Sequence, residues 1–126
     1  MRTSADPVVR TYVADASHRG LTDDVLDALV APWTGDDGHP AFYRQIAEYD
    51  ERYLVEIEQQ LGELRIPVRI VWGTEDTWIP VERAEKLLTL IPGASLGRIP
   101  AAGHLVHHDA PAALMDEVRA WLDARR

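Results

Sequence analysis

Two loops of this 126-residue chain hold the side chains best suited to chemistry. The first reads Trp72-Gly73-Thr74-Glu75-Asp76-Thr77-Trp78-Ile79-Pro80, and the second reads Ile99-Pro100-Ala101-Ala102-Gly103-His104. One carries adjacent acids and the other a histidine, 28 positions beyond Asp76. A carboxylate brought beside an imidazole fixes its tautomer and stabilises the imidazolium, which leaves the histidine free to move protons. Taken singly, each residue also has an ordinary reading. Asp76 suits a turn before a helix, and His104 suits a hydrogen-bonded loop position. Trp78 is placed either to line a cleft, as a substrate-binding residue, or to pack against neighbouring helices.

The elements around these loops decide whether they meet. Ile66-Pro67-Val68-Arg69-Ile70-Val71-Trp72 is a short, β-branched apolar run ended by Gly73, the profile of a strand buried on both faces. Pro80 opens a helix whose apolar positions Ala84, Leu87, Leu88 and Ile91 recur at helical spacing until Pro92-Gly93. Ala94–Ile99 reads as a second strand, although Gly97 and Arg98 interrupt it. Asp109 is placed to cap a last helix with Pro111 in its first turn and a buried stripe of Leu114, Met115, Val118, Trp121 and Leu122. Strand, helix, strand and helix with such short links form a βαβα unit of a parallel sheet. Ligands of such sheets sit beyond the carboxyl ends of the strands, where both loops fall.

The half of the chain before Leu64 reads as helices. Thr22 is placed to cap a helix with Asp23 and Asp24 in its first turn, Leu21 and Leu26 to pack across the cap, and Pro32 to end it. The stretch 34–38 has the turn chemistry of a loop. From Pro40 onward Phe42, Ile46, Tyr49, Tyr53, Ile57 and Leu61 follow helical spacing, in one helix or in two broken near Asp50. The expected division is therefore a helical segment, 1–63, followed by the βαβα unit, 64–126.

Composition narrows the function. Lys and Arg number 13 against 21 Asp and Glu, a formal charge of −8, which disfavours a nucleic-acid partner. Absence of cysteine removes disulfides, thiolate zinc sites and a cysteine nucleophile. No apolar run approaches the roughly 18–20 residues of a membrane span, and the first ten residues lack a signal-peptide core. The expectation from composition is a cytoplasmic globular protein.

From Pro67 to its end the chain resembles the C-terminal third of an α/β-hydrolase. The resemblance rests on a strand followed by W-G-x-x-D-x-x-x-P, a helix, I-P-G-A, a second strand and P-x-A-G-H. The resemblance implies that Asp76 is the acid and His104 the histidine of a catalytic triad, and that the helical first half is the family's cap. It also implies a nucleophile, the serine of an esterase or the aspartate of dehalogenases and epoxide hydrolases, which in this fold precedes the acid.

No residue here fits that role. Ser4 and Ser17 lack flanking glycines and a preceding strand. Gly93-Ala94-Ser95-Leu96-Gly97 matches G-x-S-x-G literally, but a helix precedes it and a strand follows, the reverse of a nucleophile elbow. The resemblance thus implies a hydrolase of a small molecule, without a cofactor, of which this chain is a part, with the nucleophile upstream. The alternative is a non-catalytic hydrolase fragment that pairs with itself or with a complementing chain through an exposed sheet edge. A metal site from His104, His107, His108 and Asp109 is disfavoured, because adjacent loop histidines are expected to point apart.

Overall fold

The alternation of apolar and turn residues after Leu64 folds into two parallel strands joined by a helix. The computed structural model describes residues 7–126. In chain order these are α1 (Pro7–Asp15), α2 (Asp23–Val30), a 3₁₀ turn (Ala31–Trp33), α3 (Gly35–Ala47), α4 (Arg52–Gln60), a second 3₁₀ turn (Leu61–Glu63), β1 (Arg69–Gly73), α5 (Glu82–Leu90), β2 (Ser95–Ile99), α6 (Val106–Asp109) and α7 (Pro111–Asp123). β1 pairs with β2 in parallel, with Arg69 opposite Ser95 and Gly73 opposite Ile99.

Three apolar clusters hold these elements together. Val9 of α1, Leu26 and Val30 of α2 and Phe42 of α3 form the first, with Leu21 and Trp33 packed against it. Ile70, Ala84 and Ile91 join β1 to α5, with Leu61 and Leu64 against them. Ile99, Ala102 and Ala110 form the third, beneath the His104 loop, with Val71, Val106 and Leu114 alongside. Arg10 ties α1 to α2 by reaching Asp27 and, at 3.0 Å, Asp23.

Several local expectations are corrected. β1 starts at Arg69 rather than Ile66, because Pro67 has no N–H to donate and Ile66 stays exposed. β1 is only half-buried outside Ile70 and Gly73, with Ile70 packed toward α5 on one face and Val71 toward the Ile99 cluster on the other. The stretch 34–38 is the first turn of α3, not a loop. Thr34 stands at its N-cap in extended conformation, and Asp36 and Asp37 sit where the helix dipole favours negative charge. Gly38 lets this turn lie against the 3₁₀ backbone, since a Cβ there would stand 2.9 Å from the Trp33 carbonyl carbon. Thr22 occupies the N-cap of α2, but its side chain makes no capping bond.

The helical stretch after Pro40 breaks between α3 and α4, where Asp50 accepts the Arg52 amide at 2.9 Å. Met115, Val118 and Leu122 of α7, expected inside, are exposed. Gly97 interrupts the apolar pattern of β2 for a packing reason. The ion pair between Arg69 of β1 and Glu117 of α7 lies over it, and a Cβ would stand 2.6 Å from Glu117 Oε2.

Gly73 ends β1 directly beneath the second loop, where a Cβ would meet Ala102 O and stand 2.6 Å from Gly103 O. Both obstacles are backbone, so neither can swing away. Gly73→Ala should therefore lower stability by about 1–3 kcal/mol, the usual cost of overpacking. Gly62→Ala, with open space around it, should change stability far less. Urea midpoints of the two variants test this.

Candidate active site

The two loops meet because strand pairing continues past the strand ends. Thr74 N donates to Ile99 O at 3.0 Å, and Glu75 N donates to Ala102 O at 2.9 Å. The next residue is Asp76, only 8% exposed. Its Oδ1 accepts the amides of Trp78 at 3.0 Å and Ile79 at 2.8 Å, which closes the turn before α5 and fixes the carboxylate. Its Oδ2 lies 3.0 Å from Nδ1 of His104. An ionised carboxylate only accepts, so Nδ1 carries the proton and the lone pair of the neutral ring is on Nε2. Among the described residues Nε2 has no hydrogen-bond partner, and the His104 side chain is about one-third exposed, at 32%.

Trp78 packs against α1 and lies beside His104. Its ring lies 5.0 Å from that of His104 and 4.3 Å from that of Tyr12 on α1, and its Nε1 reaches Asp15 Oδ2 at 3.4 Å. Tyr12 in turn meets Phe42 edge-on at 5.4 Å, which ties this aromatic group into the helical core. Glu75 is exposed and accepts the Thr74 hydroxyl at 3.1 Å.

Asp109 does not cap the last helix. Ala110 occupies that position, and the Asp109 carboxylate, 4% exposed, turns inward. Its Oδ1 accepts the Ser17 hydroxyl and, at 3.3 Å, the Arg19 amide. Its Oδ2 accepts the His18 amide at 2.9 Å and the Gly103 amide at 2.7 Å. Burial opposes ionisation, but these four bonds outweigh it and hold the Asp109 carboxyl below the ordinary carboxylate value. The segment after α1 also receives Leu105 N on Ala16 O at 3.0 Å and sends Arg19 Nε to Ala101 O at 2.9 Å. Ala101 has a φ of 53°, a conformation side chains disfavour, and that carbonyl bond helps retain it. Nothing in local sequence marks Asp109 for this role, because an acid before Ala-Pro reads equally well as a cap.

The other residues singled out lie elsewhere. Ser95 is the first residue of β2, at the end opposite His104 and separated from it by roughly 13 Å of strand. Ser17 is bonded to Asp109 rather than to a histidine, and Ser4 lies outside the described residues. His107 and His108 are exposed on α6 with their rings 4.5 Å apart, instead of pointing apart. Among the described residues no helix is long and apolar enough to cross a membrane.

Solved structures place this arrangement. The chain is 44% identical to an α/β hydrolase fold protein from Burkholderia ambifaria, with a TM-score of 0.83 over 88% of this chain and 41% of that one. A serine hydrolase involved in carbazole degradation shares the fold at 20% identity, with a TM-score of 0.70 over 98% of this chain and 50% of that one. The 2-hydroxy-6-oxo-6-phenylhexa-2,4-dienoate hydrolase of Burkholderia cepacia is 31% identical over 84 residues, 67% of this chain and 29% of that protein. No family model matches the sequence. The chain belongs to the α/β-hydrolase fold family, as a part of that fold. It spans about 29% of the length of the first curated relatives it matches.

The depressed Asp109 carboxyl makes a pH prediction. A group whose pKa is lower folded than unfolded adds stability that is complete above the unfolded value and is lost as pH falls toward the folded one. Wild type should therefore exceed Asp109→Asn in urea midpoint at neutral pH. That gap should narrow between about pH 5 and pH 2. Urea titrations across this range give the measurement.

Proposed function

We propose that this chain supplies the acid–base part of a hydrolase that acts on an ester or a related small molecule, with Asp76 and His104 as two members of a catalytic triad. The observation that carries the reading is the 3.0 Å bond from His104 Nδ1 to a buried, amide-anchored Asp76, with Nε2 left unbonded. With a serine nucleophile, Nε2 takes the hydroxyl proton as the oxygen attacks the carbonyl, then gives it to the leaving group. It next takes a proton from water to release the product. With an aspartate nucleophile, His104 performs only the last of these steps, activating water against the covalent ester. In either case the nucleophile lies in residues outside this sequence.

The segment 1–63 serves as the cap, and Trp78 with Tyr12 forms a wall of the substrate site. A groove of about 630 Å³ runs along α1 between Pro7, Val8, Thr11, Tyr12 and Asp15, the last two of which contact Trp78. The 2-hydroxy-6-oxo-dienoate named for the Burkholderia cepacia relative is one substrate class to assay, and simple aryl esters are the other.

The test starts from the polypeptide carrying this sequence in its native cell. Its intact mass is determined and both substrate classes are assayed. Expected are a species larger than 14.1 kDa, turnover of at least one class, and a loss of about 10³-fold or more in His104→Ala and in Asp76→Asn. Unchanged turnover in His104→Ala would remove His104 from the reaction. Turnover by the 126-residue chain alone, abolished by the same substitution, would place the nucleophile inside it.

One observation favours a second reading, pairing with a complementing chain or a second copy. Met115, Val118 and Leu122 of α7 are exposed, and among the described residues each strand of the two-stranded sheet has one unpaired edge. A native species of 14.1 kDa that migrates as a stable oligomer or heteromer would select that reading.

A further inference from the structure

Asp109 lies five positions beyond His104, makes no bond to its ring, and takes no part in the proton transfers described above. Its environment is nevertheless unusually complete. A carboxylate offers about four lone-pair sites, and here all four are filled by donors from two distant segments: Ser17, His18 and Arg19 on one side and Gly103 on the other. Gly103 is the residue before His104, so the peptide that leads into His104 is fixed by the 2.7 Å bond from its neighbouring amide. Gly103 is also tightly enclosed, since a Cβ there would stand 2.9 Å from His18 N and 3.1 Å from Ala16 O.

We propose that Asp109 is a positioning residue for His104: its buried carboxylate clamps the Gly103 amide to the Ser17–Arg19 segment and so holds the imidazole where Nδ1 meets Asp76. This rests on the reading of His104 as the proton-transfer residue. The clamp also links the cap segment to the histidine loop, because Ser17–Arg19 follows α1, which carries Tyr12 against Trp78. Three further bonds run across the same seam, from Leu105 to Ala16, from Arg19 to Ala101 and from Trp78 to Asp15. None of these engages the peptide adjacent to His104 on its N-terminal side. The peptide between Ala102 and Gly103 is held at both ends, its carbonyl by the Glu75 amide and its N–H by Asp109, and Asp109 supplies the hold that comes through the Ser17–Arg19 segment.

Asp109→Asn is the informative substitution. An asparagine keeps the shape but accepts through one oxygen only, and it turns its NH₂ toward two donors that previously had an acceptor. Half of the clamp is thereby lost. The readout is the ring itself, by nitrogen-15 NMR of His104 in the 126-residue chain at alkaline pH, where the ratio of Nδ1–H to Nε2–H tautomer reports the bond to Asp76. No turnover is needed, so the result is independent of whether the activity assay succeeds. Asp76→Asn sets the ratio expected when that bond is gone.

Wild type should favour the Nδ1–H tautomer. Asp109→Asn should reduce the ratio roughly fivefold, and Ser17→Ala, which removes one bond and leaves the charge in place, should reduce it less. Ile91→Ala, which opens a cavity in the cluster beneath α5, should lower the urea midpoint and leave the ratio unchanged. An unchanged ratio in folded Asp109→Asn would overturn the proposal and leave Asp109 a purely structural residue. A ratio that falls equally in Ile91→Ala would do the same. Should Asp109→Asn fail to fold, Ser17→Ala decides by itself: a lowered ratio supports the clamp and an unchanged one overturns it.

Discussion

A carboxylate and an imidazole 28 residues apart share a 3.0 Å bond only if their loops leave neighbouring strands on the same side and at the same height. Parallel pairing supplies the first condition, since β1 and β2 both point their carboxyl ends toward the site. The second is met by backbone. Thr74 and Glu75 continue the pairing onto Ile99 and Ala102, and the missing side chain of Gly73 allows the second loop to lie across the first. The side-chain bond is thus the last member of a backbone ladder. Its length follows from register rather than from any freedom of Asp76, whose other oxygen is already held by two amides.

A second carboxylate sits behind the histidine, and the contrast between the two is instructive. Asp76 faces one imidazole and two amides, and its environment hands a proton-bearing ring to solvent. Asp109 faces only donors that never leave, three amides and a hydroxyl. Burying a charge without partners is costly, and a buried carboxylate is tolerable when its acceptor sites are filled by fixed dipoles. Asp109 meets that condition through a connection between the start of the described chain and its last third. The helical segment is thereby joined to the βαβα unit beside the histidine loop, in addition to the contacts of Leu61 and Glu58 with the α5 side.

Much of this was legible before any coordinates. The βαβα unit announced itself through Pro and Gly punctuation and through helical spacing between Ala84 and Ile91, and the acid and histidine lay in the loops that such a unit brings together. The failures share one cause: positions whose residue type is set by a distant partner look locally like something else. Gly97 looks like a strand breaker, yet it makes room for the Arg69–Glu117 pair. Asp109 looks like a helix cap and is a buried acceptor. Residues 34–38 look like a loop by composition, but acids at a helix N-terminus and a glycine against Pro32 and Trp33 are what that turn of α3 requires. Local chemistry identifies what a residue can do, and only the partner decides which of those things it does.

The same logic applies to the surfaces left uncovered. Two strands have two outer edges, and α7 presents Met115, Val118 and Leu122 to solvent at the spacing of a buried stripe. Such a stripe arises where a helix packs on a sheet wider than its own two strands, because helix and sheet bury each other's apolar faces in pairs. The Arg69–Glu117 pair fastens α7 to the existing sheet at one point, which leaves the rest of the stripe without a counterpart within the described residues. The half of α7 that packs, through Leu114 on Ile99 and Ala110, is the half nearest the His104 loop. The two buried carboxylates are therefore internally satisfied, whereas His104 Nε2, the exposed stripe from Met115 to Leu122 and the open strand edges have no counterpart among the described residues. An additional segment that covered those surfaces would add strands and apolar contact without having to reorganise Asp76, His104 or Asp109.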